Sequence, residues 1–122
     1  MPTFRLALAQ INSTVGDIEG NSEKILKFLE EARSQGADLV AFPELAVTGY
    51  PAEDLLYNTS FLKDNVQAMR RIVKESKGLA IVLGFVDADG DIYNSAVVGH
   101  DGIIAGIYHK MYLPTYGVFD ED

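Results

Sequence analysis

The chain has 122 residues, room for one small domain and not for two. Its 48% hydrophobic and 23% charged residues are a globular balance and exclude a disordered chain. A net charge of −8 argues against a nucleic-acid partner, because the basic residues are scattered apart from the Arg70-Arg71 pair, which reads as a solvated helix face.

There is no cysteine, which excludes disulfides, thiolate metal sites and a cysteine nucleophile within these residues. The first residues show no basic segment leading into a signal-peptide core, and no apolar stretch approaches the roughly 18 residues of a membrane span. A cytoplasmic protein without a membrane partner is expected.

Residues 4–10 form a short, mostly apolar run suited to a buried strand. Gly16 and Gly20 mark a loop, and Asn21 and Ser22 offer side-chain oxygens to cap a helix. Ile25, Phe28, Leu29 and Ala32 then fall at helical spacing with charged residues between them, so this helix has one face to bury. Gly36 is placed to end it in a left-handed cap. Residues 38–42 predict a second strand, closed by Pro43, and residues 45–58 a loop with one helical turn at 52–56. A longer helix follows, capped by Thr59 or Ser60, striped by Leu62, Val66, Met69 and Val73, and ended by Gly78.

Residues 79–86, 92–99 and 103–108 predict three strands, divided by the turn signals Asp89-Gly90 and Asp101-Gly102. Their loops are too short for a helical crossover, so they form an antiparallel meander. The earlier strands alternate with helices, which predicts parallel neighbours with the helices on one face. The order is β-α-β-α-β-β-β, with an irregular tail over residues 109–122. Ile81, Leu83 and Phe85, with Leu79, Val82 and Val86 around them, supply more apolar surface than two helices obviously cover. A second layer, from further chain or from another copy, is expected to bury it.

Glu44 directly follows a strand and a proline, flanked by Phe42 and Leu45. Partial desolvation there would raise its pKa and suit it to general-base work, although a carboxylate that caps the following turn fits the pattern equally well. Lys110 follows the last strand and could stabilise an oxyanion, but taken alone it reads first as a surface lysine ending a strand. His100 and His109 have no partner at metal-ligand spacing and read as structural; no metal site is expected. Asp120-Glu121-Asp122 reads as a solvated chain end, and Gly99, Gly102 and Gly106 do not form a phosphate loop.

Three segments in order resemble the nitrilase, or carbon–nitrogen hydrolase, superfamily: residues 7–12 with Gly16-Asp17 and Asn21, Phe42-Pro43-Glu44-Leu45 with Gly49-Tyr50, and the Lys110 segment. Residues 49–56 and 110–121 are further similar to the glutaminase portion of glutamine-dependent NAD synthetases. The resemblance covers essentially the whole chain. It implies an α/β fold, with residues 1–122 as the N-terminal part of a four-layer α-β-β-α sandwich and no second domain among them. It implies hydrolysis of the glutamine amide, supplying ammonia for ATP-dependent amidation of nicotinic acid adenine dinucleotide to NAD. No cofactor is expected in this chain; ATP and Mg would belong to a separate synthetase domain.

By the same resemblance Glu44 is the general base, Lys110 stabilises the tetrahedral oxyanion, and Glu121 supports the lysine. Tyr50, Tyr116 and Phe119 match positions lining the glutamine pocket. The departure is the nucleophile: the cysteine expected on a strand after the Lys110 segment is missing, and Ser95 matches no nucleophile position. The expectation is a part of a larger enzyme, inactive alone and associating with copies of itself through the uncovered sheet face. The alternatives are part of an amidase acting on another amide, and a non-catalytic, self-associating half-sandwich.

Overall fold

The computed structural model describes residues 3–51, 53–89 and 91–112. Five strands lie in one sheet in chain order: β1 (Leu6–Leu8), β2 (Leu39–Ala41), β3 (Ala80–Asp89), β4 (Asp91–His100) and β5 (Ile103–Tyr112). The first three are parallel and the last three antiparallel, as the loop lengths require. Helix α1 (Ile18–Ser34) joins β1 to β2; a single turn, α2 (Glu53–Leu56), and helix α3 (Thr59–Lys74) join β2 to β3. Both crossovers step the same way across the sheet. Right-handed connections in one direction place their helices on one face, and α1 and α3 share a single core there.

That core is Ile25, Leu29 and Ala32 of α1 with Met69, Ile72 and Val73 of α3, closing on Val40, Ile81, Leu83, Phe85 and Val97. Two helices therefore suffice to bury Leu79, Ile81, Leu83 and Phe85, contrary to the expectation that these residues need a further layer. An uncovered face exists as expected, but of the residues named for it only Val82 lies there with some exposure, and others make the rest. Alternation places Leu6, Leu8, Leu39, Ala41, Val82, Ala96, Val98 and Tyr108 on it, with Leu8 66% and Tyr108 62% exposed.

Helix ends differ from the sequence reading for local reasons. Asp17, not Asn21 or Ser22, caps α1 by accepting a hydrogen bond from the Gly20 N–H at 3.0 Å. Asn21 lies inside the helix, fully buried, where its amide donates to the Thr14 and Val47 carbonyls and accepts from the Thr14 N–H. Asn58 caps α3, which makes Thr59 and Ser60 its first helical residues, and the helix ends short of Gly78 with Glu75 as its C-cap. β5 runs on to Tyr112 where irregular chain was expected from His109, because β4 offers pairing partners as far as Tyr93.

Beyond Ala41, β2 no longer pairs with β3, which leaves the β3 backbone without a strand on that side. Asn65 of α3 fills the gap for Val86: its Nδ2 donates to the Val86 carbonyl and its Oδ1 accepts from the Val86 N–H at 3.1 Å. The side chain is fully buried. Asn65→Ala would leave two backbone groups unpaired in the interior, and we expect a loss of about 2–3 kcal/mol of unfolding free energy, read by urea denaturation. A loss well under 1 kcal/mol would show that another group takes over the pairing.

Candidate active site

Phe42 makes the last ladder contact of β2, donating to the Val82 carbonyl at 2.9 Å, and Pro43, which has no N–H, ends it. The chain then crosses the sheet on the face opposite the helices, directly over Gly84 of β3. A Cβ at residue 84 would stand 2.5 Å from the Leu45 nitrogen and 2.7 Å from the Pro43 oxygen, so glycine alone admits this approach. The Val47 N–H donates to the Gly84 carbonyl at 3.2 Å and holds the turn down. Within it Leu45, fully buried, has φ 51°, a left-handed conformation that costs a side-chain-bearing residue roughly 1–2 kcal/mol. This strained turn presents Glu44.

Lys110 arrives by another irregularity. In the β4–β5 ladder Ser95 pairs with His109 and Asn94 with Met111, so Lys110 is an extra residue with no partner opposite. Such a bulge kinks the strand and re-aims a side chain. Lys110 Nζ donates to Glu44 Oε2 at 2.5 Å, and the Tyr50 hydroxyl donates to Glu44 Oε1 at 3.1 Å. Three residues that the sequence singled out thus meet at one carboxylate. Tyr116, Phe119 and Glu121 lie outside the described residues.

Desolvation was expected to raise the Glu44 pKa, and the structure reverses this. The hydrogen bond from Lys110 is the largest influence and holds the carboxyl below the usual glutamate range; burial pushes upward, and Asn94 and Tyr50 add smaller lowering effects. Burial is slight because the Lys110 and Glu44 side chains are 49% and 40% exposed, so the site stands open. Asn94 neighbours the carboxylate closely enough to favour its anion, yet among the described residues neither polar atom of its amide reaches full hydrogen-bond geometry with a partner.

His109 takes no part in this cluster. Its Nε2 is 2.8 Å from Asp87 Oδ2 and its ring stacks on Tyr93, centroids 4.0 Å apart, on the face that carries Phe85. His100 is exposed beside the β4–β5 turn, whose residues Asp101 and Gly102 both have positive φ. A hollow of about 460 Å³ between α1 and α3, lined by Ile18, Glu19, Asp64, Gln67, Ala68 and Arg71, lies on the opposite layer from Glu44. It holds no acid–base pair placed like Glu44 and Lys110, so the chemistry outweighs the cavity in locating the site. Among the described residues no three His, Asp or Glu side chains gather as a metal site, and no helix is long and apolar enough to cross a membrane.

Sequence reasoning missed Gly84, Leu45 and Asn94. Gly84 had a signal, a glycine interrupting the apolar run 79–86, which marks close backbone approach. Leu45 had none.

The carbon-nitrogen hydrolase family profile matches residues 5–121. The chain belongs to the carbon–nitrogen hydrolase family. It is 46% identical over 123 aligned positions to the glutamine-dependent NAD(+) synthetase of Thermotoga maritima, covering 99% of this chain and 21% of that protein. The Acinetobacter baylyi protein of the same name is 45% identical over 99% of this chain and 23% of its own length. The structure of the Acinetobacter baumannii glutamine-dependent NAD+ synthetase, solved with adenosine diphosphate, superposes with a TM-score of 0.83 at 43% identity, over 97% of this chain and 23% of that one. An amidase from Nesterenkonia sp. superposes with a TM-score of 0.79 at 25% identity, over 94% of this chain and 46% of that chain. The chain thus spans roughly a fifth of the length of the synthetases it matches.

In this family fold, the contact at Gly84 fixes where the carboxylate stands. Gly84→Ala would push the turn off the sheet and separate Glu44 from Lys110. We expect the carboxyl pKa of Glu44 to rise toward the ordinary glutamate value, because its strongest donor is lost; a carbon-13 titration of that side chain reads the shift. An unmoved pKa in a folded variant would show that the turn is positioned by something else.

Proposed function

We propose that the chain carries the acid–base half of a glutamine amidohydrolase site, one that supplies ammonia for ATP-dependent amidation of nicotinic acid adenine dinucleotide to NAD. The observation that carries this reading is the 2.5 Å hydrogen bond from Lys110 to Glu44, side chains 66 positions apart that a strained turn and a bulge bring together. The choice of glutamine is supported by the high identity to proteins named for glutamine dependence.

In this reading a cysteine from outside these 122 residues is the nucleophile. Glu44 takes the thiol proton, the thiolate attacks the carboxamide carbon, and Lys110 stabilises the oxyanion that forms. Glu44 returns the proton to the leaving nitrogen, which departs as ammonia. It then draws a proton from the water that hydrolyses the glutamyl thioester. The lowered pKa fits the sequence of events. While Lys110 holds Glu44 the carboxylate stays ionised and ready, and as the lysine turns to the oxyanion the carboxylate becomes a stronger base just when a proton must move.

Tyr50 borders the substrate pocket in this proposal, with Tyr116 and Phe119 beside it and Glu121 supporting Lys110. ATP and Mg act in a synthetase domain outside these residues, and the location is cytoplasmic. The open sheet face is covered by a second layer of the same sandwich, and by copies of the chain when residues 1–122 stand alone.

Glu44→Gln in the full-length protein should lower glutamine-dependent ammonia release by on the order of a thousandfold while leaving NAD formation from added ammonia intact. Loss of both activities, or of neither, would contradict the assignment. The isolated 122-residue chain should release no ammonia from glutamine. It should scatter light as an oligomer; a monodisperse single chain would count against covering by copies.

A further inference from the structure

Among the described residues, Asn94 is fully buried and both polar atoms of its amide lack a hydrogen-bond partner. Its place in the sheet is specific. Alternation puts it on the face opposite the helices, next to Ala96 and opposite Val86 on β3, two positions along from Gly84, on which the turn bearing Glu44 rests. On its other side it faces Met111, immediately after the bulged Lys110. Asn94 therefore forms the floor between the turn that presents the carboxylate and the kink that presents the ammonium.

A leucine has nearly the same shape and could occupy this position without an orphaned polar group, so a buried amide short of hydrogen-bond geometry points to a partner that the resting arrangement brings near without fully engaging. Glu44, whose anion Asn94 already favours, has that capacity. Its two oxygens accept one hydrogen bond each, from Lys110 and from Tyr50, and a carboxylate can accept about four. Asn94 Nδ2 is an uncharged donor beneath it and, unlike Lys110, has no second task at the oxyanion.

We infer that Asn94 is the positioning residue of Glu44, the donor that holds and orients the carboxylate once Lys110 turns from it toward the substrate. This rests on the glutaminase reading given above. Fully buried, Asn94 offers no exposed atom to glutamine, so in this proposal it acts through Glu44 on the chemical step and not on binding.

The test uses the full-length protein with Asn94→Leu and Asn94→Asp, measuring kcat and KM for glutamine, thermal midpoint, and kcat/KM against pH. Asn94→Leu should lower kcat about tenfold or more with KM within about twofold and the thermal midpoint not lowered. The acid limb of the profile should move to higher pH, because Glu44 loses a group that favours its anion. Asn94→Asp sets a like charge beside Glu44 and should move that limb further. An acid limb unmoved in both variants overturns the inference, whatever happens to kcat, and so does a lower thermal midpoint with the limb unchanged.

If the unsubstituted protein releases no ammonia from glutamine, the functional reading fails while this inference remains testable. Alkylation of the site cysteine by iodoacetamide needs no glutamine, and its pH profile should shift in the same order in the two variants. No shift there overturns the inference on its own terms.

Discussion

The backbone of Pro43–Leu45 lies on the backbone of Gly84, closer than any side chain would allow. Much of the rest follows from that contact. It forces the chain across the open face at the point where β2 stops pairing, and it drives Leu45 into a left-handed conformation. It sets Glu44 above the strands that carry Asn94 and Lys110. On the far side, Asn65 completes the β3 backbone where β2 no longer can, so the floor under the turn stays in place.

Stability does not explain these features. An ion pair with both side chains 40% or more exposed contributes up to about 1 kcal/mol once solvent screening is allowed for. Against it stand a strained leucine at roughly 1–2 kcal/mol and a buried amide without partners at about 1–3 kcal/mol. The arrangement costs more than the pair returns. Local departures from good folding practice that converge on one carboxylate mark a site kept for chemistry. The His109–Asp87 pair, on the other face of the sheet, shows no such convergence; its imidazole stacks on Tyr93.

Much of the architecture was legible in the sequence because it depends on local patterns. The apolar stripe of Ile25, Leu29 and Ala32, the short loops after residues 89 and 100, and the alternation of early strands with helices each have one physical reading. Ile81, Leu83 and Phe85 do share a face, but that the helices cover it was missed over residues 79–86 because nearly every position there is apolar, so alternation carries no contrast and only tertiary packing decides. The α1 cap was misplaced because Asn21 is held by carbonyls at residues 14 and 47, the latter remote in sequence. Glu44 and Lys110 could be suspected from their positions at strand ends, yet their meeting depends on a bulge fixed by pairing with β4. The direction of the Glu44 pKa shift was misjudged for the same reason, since the ammonium that governs it lies 66 positions away.

Lys110 holds Glu44 as an anion in the resting site. A direct carbon-13 titration of the Glu44 carboxyl in the unsubstituted protein tests it, with Lys110→Met as its control. The midpoint should lie below that of an ordinary glutamate and rise when the lysine is removed. A midpoint at or above the ordinary value, unchanged in Lys110→Met, would contradict it.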